Sequence, residues 1–363
     1  MKATICRIEQ KCRPNDYTLV SPRDFQYSEV EIVDALIILN NPAISLYSVD
    51  LIQKKAIFVE TQPGVDISRA PFYYQDQYRH ARRLFLTRFE TLYELADIAG
   101  KSIEKIVVLY SVGRCGSTWL SKIFAQAAGV LSLSEPDVFS QIVLLRDPCV
   151  DNQRELLKLL SSCLRLVCKP SLQENVSTYV LKLRSFCIEI CDLIHQVFPQ
   201  VMNIFLYRDI EPVVCSSIEA FSFMRDLLPS IKDRIDIFSR IIPLLKHYEQ
   251  DIDYVDPYAI DLFVLAWLSV MYRYKQLCDK SISFYALRYE DLVIDPRYHI
   301  HALFDHCGLH IAEAEVPWEI LTQDAQAGTG LSRRIDKERS IALPELSLVK
   351  SRIDYLLSLS PSR

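Results

Sequence analysis

Two glycines three residues apart, followed at once by two hydroxyl side chains, stand where the chain leaves an apolar run: S-V-G-R-C-G-S-T, residues 111–118. A strand-to-helix turn of this kind aims several backbone N–H groups and the positive end of a helix at one point, the geometry that cradles a phosphate or sulfate. Ser117 and Thr118 add hydroxyl donors, and Arg114 adds a guanidinium fork suited to an oxyanion. The glycines carry weight because they are scarce, 8 among 363 residues, against a usual share of about 7%. Gly113 and Gly116 fall in this loop and Gly328 and Gly330 in a late one, so half the supply marks two places that need backbone freedom or close approach. A Walker A loop would have Gly where Ser111 stands and Lys where Ser117 stands, and this loop has neither.

A second cationic point closes another apolar run. NIFLY, residues 203–207, leads into Arg208, and Ser216 lies eight residues on, inside the next helical stretch. A guanidinium fork with a hydroxyl suits a terminal phosphate; taken alone, the same residues also read as a capped helix with a surface Arg–Asp pair. Lys182 and Arg184 end a third run, V-L-K-L-R, where Lys182 is either a contact to a transferred anionic group or an ordinary solvated lysine. Glu135 and Asp137, in L-S-E-P-D-V-F-S-Q, are each either a proton acceptor or a helix cap. Glu135 lies 21 residues after Arg114, and a strand and turn between them would return it to the same crevice. The late loop A-Q-A-G-T-G-L-S-R-R, residues 325–334, brings Arg333 and Arg334 as closing cations or as a solvated basic loop. His299, His301, His306, Cys307 and His310 cluster without a standard zinc spacing, so no metal is assigned.

These residues need a scaffold that brings strand ends together. KIVVLYS (Lys105–Ser111), YVLKL (179–183), NIFLY (203–207) and SFYALRY (283–289) are short apolar runs, each leading into a helical stretch. Near-continuous apolar strands alternating with helices predict an α/β fold, a parallel sheet with helices on both faces. Ligands of such sheets bind at the carboxyl ends of the strands, where all the residues above lie. Residues 1–100 read differently, as a small α+β module without assigned chemistry, and 101–363 as the α/β domain. Within the module, AISLYSVDL and KKAIFVET predict a hairpin, and helical periodicity over residues 74–99 places Tyr78, Ala81, Leu84 and Phe85 on one face, ended by Gly100. Residues 225–258 interrupt the α/β rhythm with helical, mixed-charge sequence, read as a cap over the site. The acidic run Glu249, Asp251, Asp253 and Asp256 at its end would disfavour a highly anionic acceptor.

Composition narrows the classes further. Lys plus Arg number 41 and Asp plus Glu 46, a net charge of −5, so a surface built to track nucleic acid is not expected. Eleven scattered cysteines without a C-x-x-C pair suggest reduced, buried thiols, Cys187 and Cys191 among them. The start M-K-A-T-I-C-R-I-E-Q has no apolar signal core, and the longest greasy stretch, LFVLAWLSVMY at 262–272, is too short for a bilayer span. A cytoplasmic protein without a membrane span is the expectation.

The loop and the helix after it resemble the sulfotransferases that use 3'-phosphoadenosine-5'-phosphosulfate (PAPS). Their 5'-phosphosulfate loop reads Pro, a base, Ser or Thr, Gly, Ser or Thr, Thr, any residue, Leu; here it is Gly113-Arg114-Cys115-Gly116-Ser117-Thr118-Trp119-Leu120. The usual Pro is Gly113 and a common Ser is Cys115, while Arg at 114 is closer to the carbohydrate, tyrosylprotein and bacterial branches than to the small-phenol branch. Arg208 with Ser216 matches the family's 3'-phosphate anchor, with the usual Pro displaced to Pro212. RYEDLVIDP, residues 288–296, is similar to a late strand-to-helix segment of these enzymes, and the likeness runs over about residues 105–309. It implies a P-loop-like sulfotransferase domain, PAPS as co-substrate without a metal, and a small-molecule, lipid or glycan acceptor. It further implies that residues 113–118 hold the 5'-phosphosulfate and that Trp119 stacks on adenine, unless Trp119 simply packs in the core. Arg333 or Arg334 would close over the 3'-phosphate, Arg114 with the loop donors would offset the charge on the bridging oxygen, Lys182 would contact the sulfuryl oxygens or the acceptor, and Glu135 would be the base, with Asp137 second. Two other readings remain open on the residues alone, a P-loop nucleotide kinase and a non-catalytic nucleotide-binding protein on the same fold.

Overall fold

The computed structural model describes the chain apart from residues 101–102, 147–151, 170–174, 311–317, 319–324, 327–328, 330, 332–343 and 360–363. The N-terminal residues form an antiparallel sheet of β1 (Lys2–Lys11), β2 (Phe25–Asp34), β3 (Ile44–Asp50), β4 (Lys55–Thr61) and β5 (Ala81–Arg88), in the order β2-β1-β5-β4-β3. β3 and β4 are the expected hairpin, with Asp50 paired to Lys55. The single helix expected over 74–99 is instead a helix, a strand and a helix: Tyr73–Arg79, β5 and Phe89–Ala99. β5 lies between β1 and β4 and is covered on both faces, Leu84 and Leu86 packing into one cluster and Phe85 into another. A strand buried on both sides loses the polar alternation that would mark it, and its apolar run imitates a helix face.

The second sheet is parallel throughout. β6 (Lys105–Ser111), β7 (Val130–Ser134), β8 (Thr178–Lys182), β9 (Met202–Tyr207) and β10 (Tyr285–Arg288) run in the order β10-β9-β6-β8-β7. Helices flank it, among them Ser117–Phe124, Gln153–Val167, Ile210–Ala220, Ile260–Asp279 and Pro296–His306. β6 is central because its side chains are apolar and buried on both faces from Ile106 to Tyr110. β7 is the strand that returns the chain toward Glu135.

One buried cluster joins the two sheets, with Phe58 and Phe85 on the antiparallel side and Val107 and Leu109 on the parallel side. Each such side chain contributes about 1.5–3 kcal/mol on burial, so the N-terminal sheet is packed on rather than tethered. Lys169 adds a polar tie, donating from Nζ to the carbonyls of Ile38 (2.5 Å) and Asn41 (2.8 Å); burial pushes its ammonium down to about 7. Residues 225–258 carry short helices, Leu228–Asp233, Ile235–Phe238 and Leu244–His247, packed in a separate cluster with Ile260–Asp279 and Leu346–Ser358. Their acidic end serves this packing. Asp256 accepts from the backbone N–H of Tyr258 (3.0 Å) and Ile260 (2.6 Å) at the start of the long helix, and Asp251 accepts from the Tyr355 hydroxyl (3.0 Å). The apolar stretch at 262–272 lies within that long helix, and no described helix is long and apolar enough to cross a membrane.

Candidate active site

The carboxyl ends of β6 to β10 lie along one edge of the parallel sheet. After β6 the chain turns through Gly113 (φ 79°), Arg114 (φ 49°) and Gly116 (φ 83°) into the helix Ser117–Phe124. Left-handed backbone is free for the glycines and costs a residue such as Arg114 about 1–3 kcal/mol, a strain typical of functional loops. A Cβ on Gly116 would come within 3.1 Å of the Tyr289 ring, so the loop needs glycine there for space as well as for conformation. The Cys115 thiol points into the sheet and donates to the Leu206 carbonyl at 3.5 Å; burial pushes it up to about 11. Lys182 and Arg208 act on that thiol from the neighbouring strands, in the opposite direction to burial. Ser117 and Thr118 are buried at the helix start, where the first N–H groups have no intrahelical acceptor. Trp119 is in the core, 8% exposed, and its Nε1 has no hydrogen-bond partner among the described residues.

The two cationic points are bonded to each other. Arg114 donates from Nε to Ser216 Oγ (3.0 Å) and from Nη1 to Gln326 Oε1 (2.9 Å). Arg208 donates from Nη1 to the Arg114 carbonyl (2.9 Å) and lies over the Tyr289 ring, 4.6 Å from its centroid. Its Nε is buried without a hydrogen-bond partner among the described residues, 4.0 Å from Glu290 Oε1. A buried donor without an acceptor is costly unless an incoming anion supplies one. Ser216 accepts from Arg114 and keeps its own hydroxyl proton to give. Trp267 fixes the Arg208 backbone, donating from Nε1 to its carbonyl at 2.9 Å.

At the ends of β7 and β8, Glu135 and Lys182 form a buried ion pair, their side chains 12% and 6% exposed. Glu135 has φ 60° and its N–H donates to the Lys182 carbonyl at 2.6 Å, so a bond between the ends of β7 and β8 holds a strained carboxylate in place. Asp137 is fully engaged elsewhere. It accepts from Arg184 Nε (2.7 Å) and Nη2 (3.1 Å), from the Val20 N–H (2.9 Å) and from Ser140 Oγ (2.5 Å). Glu135 binds Lys182 through Oε1, and its Oε2 lies 3.8 Å from Arg184 Nε.

Sequence reasoning assigned no role to four contributors. Tyr289 and Glu290 sit in a segment read as a mark of the fold, yet they line the second anchor; the signal was an aromatic and an acid directly after a strand end. Gln326 holds Arg114 from the late loop, and Arg184 joins Glu135 to Asp137. Arg333 and Arg334 lie outside the described residues. Among the described residues no group of three or more His, Cys, Asp or Glu could hold a metal ion.

A family model described as the sulfotransferase family matches residues 107–313. The sulfotransferase domain of the Synechococcus PCC 7002 olefin synthase is 21% identical, covering 71% of this chain and 95% of that one, with a TM-score of 0.38. A sulfotransferase domain from the curacin biosynthetic pathway is 19% identical, covering 70% and 98%, with a TM-score of 0.37. A Mycobacterium tuberculosis sulfotransferase is 12% identical, covering 73% and 80%, with a TM-score of 0.40. A search among curated proteins gave no match.

Proposed function

The chain belongs to the sulfotransferase family, and from that premise we propose that it transfers the sulfuryl group of PAPS to an acceptor hydroxyl or amine by in-line displacement. The observation that carries this reading is the bond from Arg114 Nε to Ser216 Oγ, with Arg208 returning to the Arg114 carbonyl. It links two anion cups at neighbouring strand ends, the arrangement a nucleotide with phosphate at both ends requires. The buried Nε of Arg208, without a hydrogen-bond partner among the described residues, and the hydroxyl proton of Ser216 fit the 3'-phosphate. The loop N–H groups of residues 113–118, with Ser117 and Thr118, fit the 5'-phosphosulfate, and Arg114 carries positive charge between the two.

PAPS brings the activated sulfuryl group; the protein's share is positioning and charge. Lys182, at the end of β8, offers its ammonium to the sulfuryl oxygens, and the loop donors and Arg114 offset the charge that develops on the departing phosphate. Glu135 takes the acceptor's proton, held in its strained conformation by the bond to Lys182. The acceptor is a small molecule, a lipid or a glycan, and residues 1–100 form a module walling the crevice of the α/β domain 101–363. Because arginine and lysine carry the neutralisation, turnover should not depend on a divalent ion. Transfer of radiolabelled sulfur from PAPS to a panel of a phenol, a long-chain alcohol and a sugar is expected to proceed unchanged in EDTA. Turnover lost in EDTA and restored by Mg²⁺ would overturn this mechanism and favour the kinase reading.

A further inference from the structure

A cavity of about 50 Å³ lies where the N-terminal sheet meets the parallel sheet. Its walls are Leu46 of β3, Leu131 and Leu133 of β7, and Leu166 near the end of the helix Gln153–Val167. None of the residues given a part in sulfuryl transfer lines it. At about 10–15 Å³ for each water-sized position, that volume takes a group of about three to five non-hydrogen atoms.

Lys169, 5% exposed, is the one cation on these walls among the described residues. Its Nζ donates to the carbonyls of Ile38 and Asn41, and Asn41 directly precedes the lining residues Pro42 and Ala43, so the ammonium sits at that end of the cavity. An ammonium has three protons to give, and two carbonyls take two of them. Among the described residues no carboxylate pairs with it, and burial alone pushes it down. The titratable groups that share the walls are committed elsewhere. Asp66 accepts from the Ser68 N–H (2.9 Å) and Oγ (2.6 Å) and lies 3.9 Å from Arg69, and the Tyr73 phenol is pushed up to about 12 by burial and stays neutral. A buried cation in this position gains most from one counterion brought to it.

We propose that this cavity is a binding site for a short-chain monocarboxylate of about two or three carbons, with its carboxylate on Lys169 Nζ and its alkyl part against the four leucines. One buried cation matches one negative charge. A dianion such as sulfate or phosphate would bring a second charge that no other lining cation offsets. A polyol of the same size would bury hydroxyls against leucine side chains that cannot satisfy them. Because β7 forms one wall and the N-terminal module the other, the bound carboxylate bridges the two sheets and stabilises their junction. The site stands whether or not the chain uses PAPS.

The test is a ligand-observed NMR titration of the full chain with propionate at constant ionic strength, with 1-propanol and sulfate as competitors. Saturable binding is expected. It should be at least about tenfold tighter at about pH 6.5 than at about pH 8.5, because the carboxylate pairs with the ammonium, which gives up its proton above about 7. Lys169→Met should weaken binding by about tenfold or more, and so should Leu133→Phe, which fills the cavity and keeps the lysine. Melting temperature checks that each variant folds; should either fail, the other variant and the pH comparison on the wild-type chain decide. Absence of saturable binding, wild-type affinity in a folded variant, equal affinity at the two pH values, or displacement by propanol or sulfate overturns the proposal.

Discussion

Arg208→Ala is expected to lose about two to three orders of magnitude in affinity for 3',5'-adenosine bisphosphate, while affinity for AMP changes by no more than about threefold. The asymmetry comes from position. Arg208 Nε is a buried donor without an acceptor among the described residues, and Nη1 donates to the Arg114 carbonyl. Removing the guanidinium takes away the 3'-phosphate's main charge and leaves the turn of residues 113–118 with its own N–H donors. Arg208→Lys should recover little, because one ammonium cannot both hold the Arg114 carbonyl and meet a phosphate. Calorimetric titration of each variant with the two nucleotides reads the effect directly. A variant that keeps the wild-type preference for the bisphosphate would remove Arg208 from the anchor.

Glu135→Gln should cut the rate of sulfuryl transfer by about 10² to 10⁴ and lower stability at the same time. The substitution keeps the side chain's shape and removes the charge facing Lys182, whose residue is only 4% exposed. Breaking one member of a buried pair costs about 3–5 kcal/mol, because the remaining charge is left without a counterion. The double variant Glu135→Gln with Lys182→Met should regain much of that stability and none of the activity. Denaturant unfolding of the two single variants and the double gives the coupling. Additive stability losses would mean the pair is not coupled as the structure has it, and an undiminished rate in Glu135→Gln would remove it as the base.

How far the sequence discloses this arrangement depends on how local each cause is. β6 and β9 could be read because an apolar run bounded by glycine or by a charge is a local signal. β5 could not, since its neighbours on both faces come from elsewhere in the chain. β1 and β2 were missed for another reason: their pairing shifts register between Ile5 and Cys6 and again between Ile8 and Gln10, which breaks the period of two. The anion cups were legible because arginine, glycine and hydroxyl residues at strand ends have few structural uses in combination. The bond between Arg184 and Tyr17, 167 residues apart, leaves no trace in spacing. Nor does the left-handed conformation of Glu135, which the ends of β7 and β8 impose.

The account turns on a single nucleotide held at both ends by two arginines, one bonded to the other's backbone carbonyl, and calorimetry of the wild-type chain with 3',5'-adenosine bisphosphate, AMP and ATP tests this most directly. The bisphosphate should bind at least about a hundredfold more tightly than either of the others, a difference of about 2.7 kcal/mol, without added metal. Equal affinity for AMP and the bisphosphate, or tighter Mg²⁺-dependent binding of ATP, would contradict it.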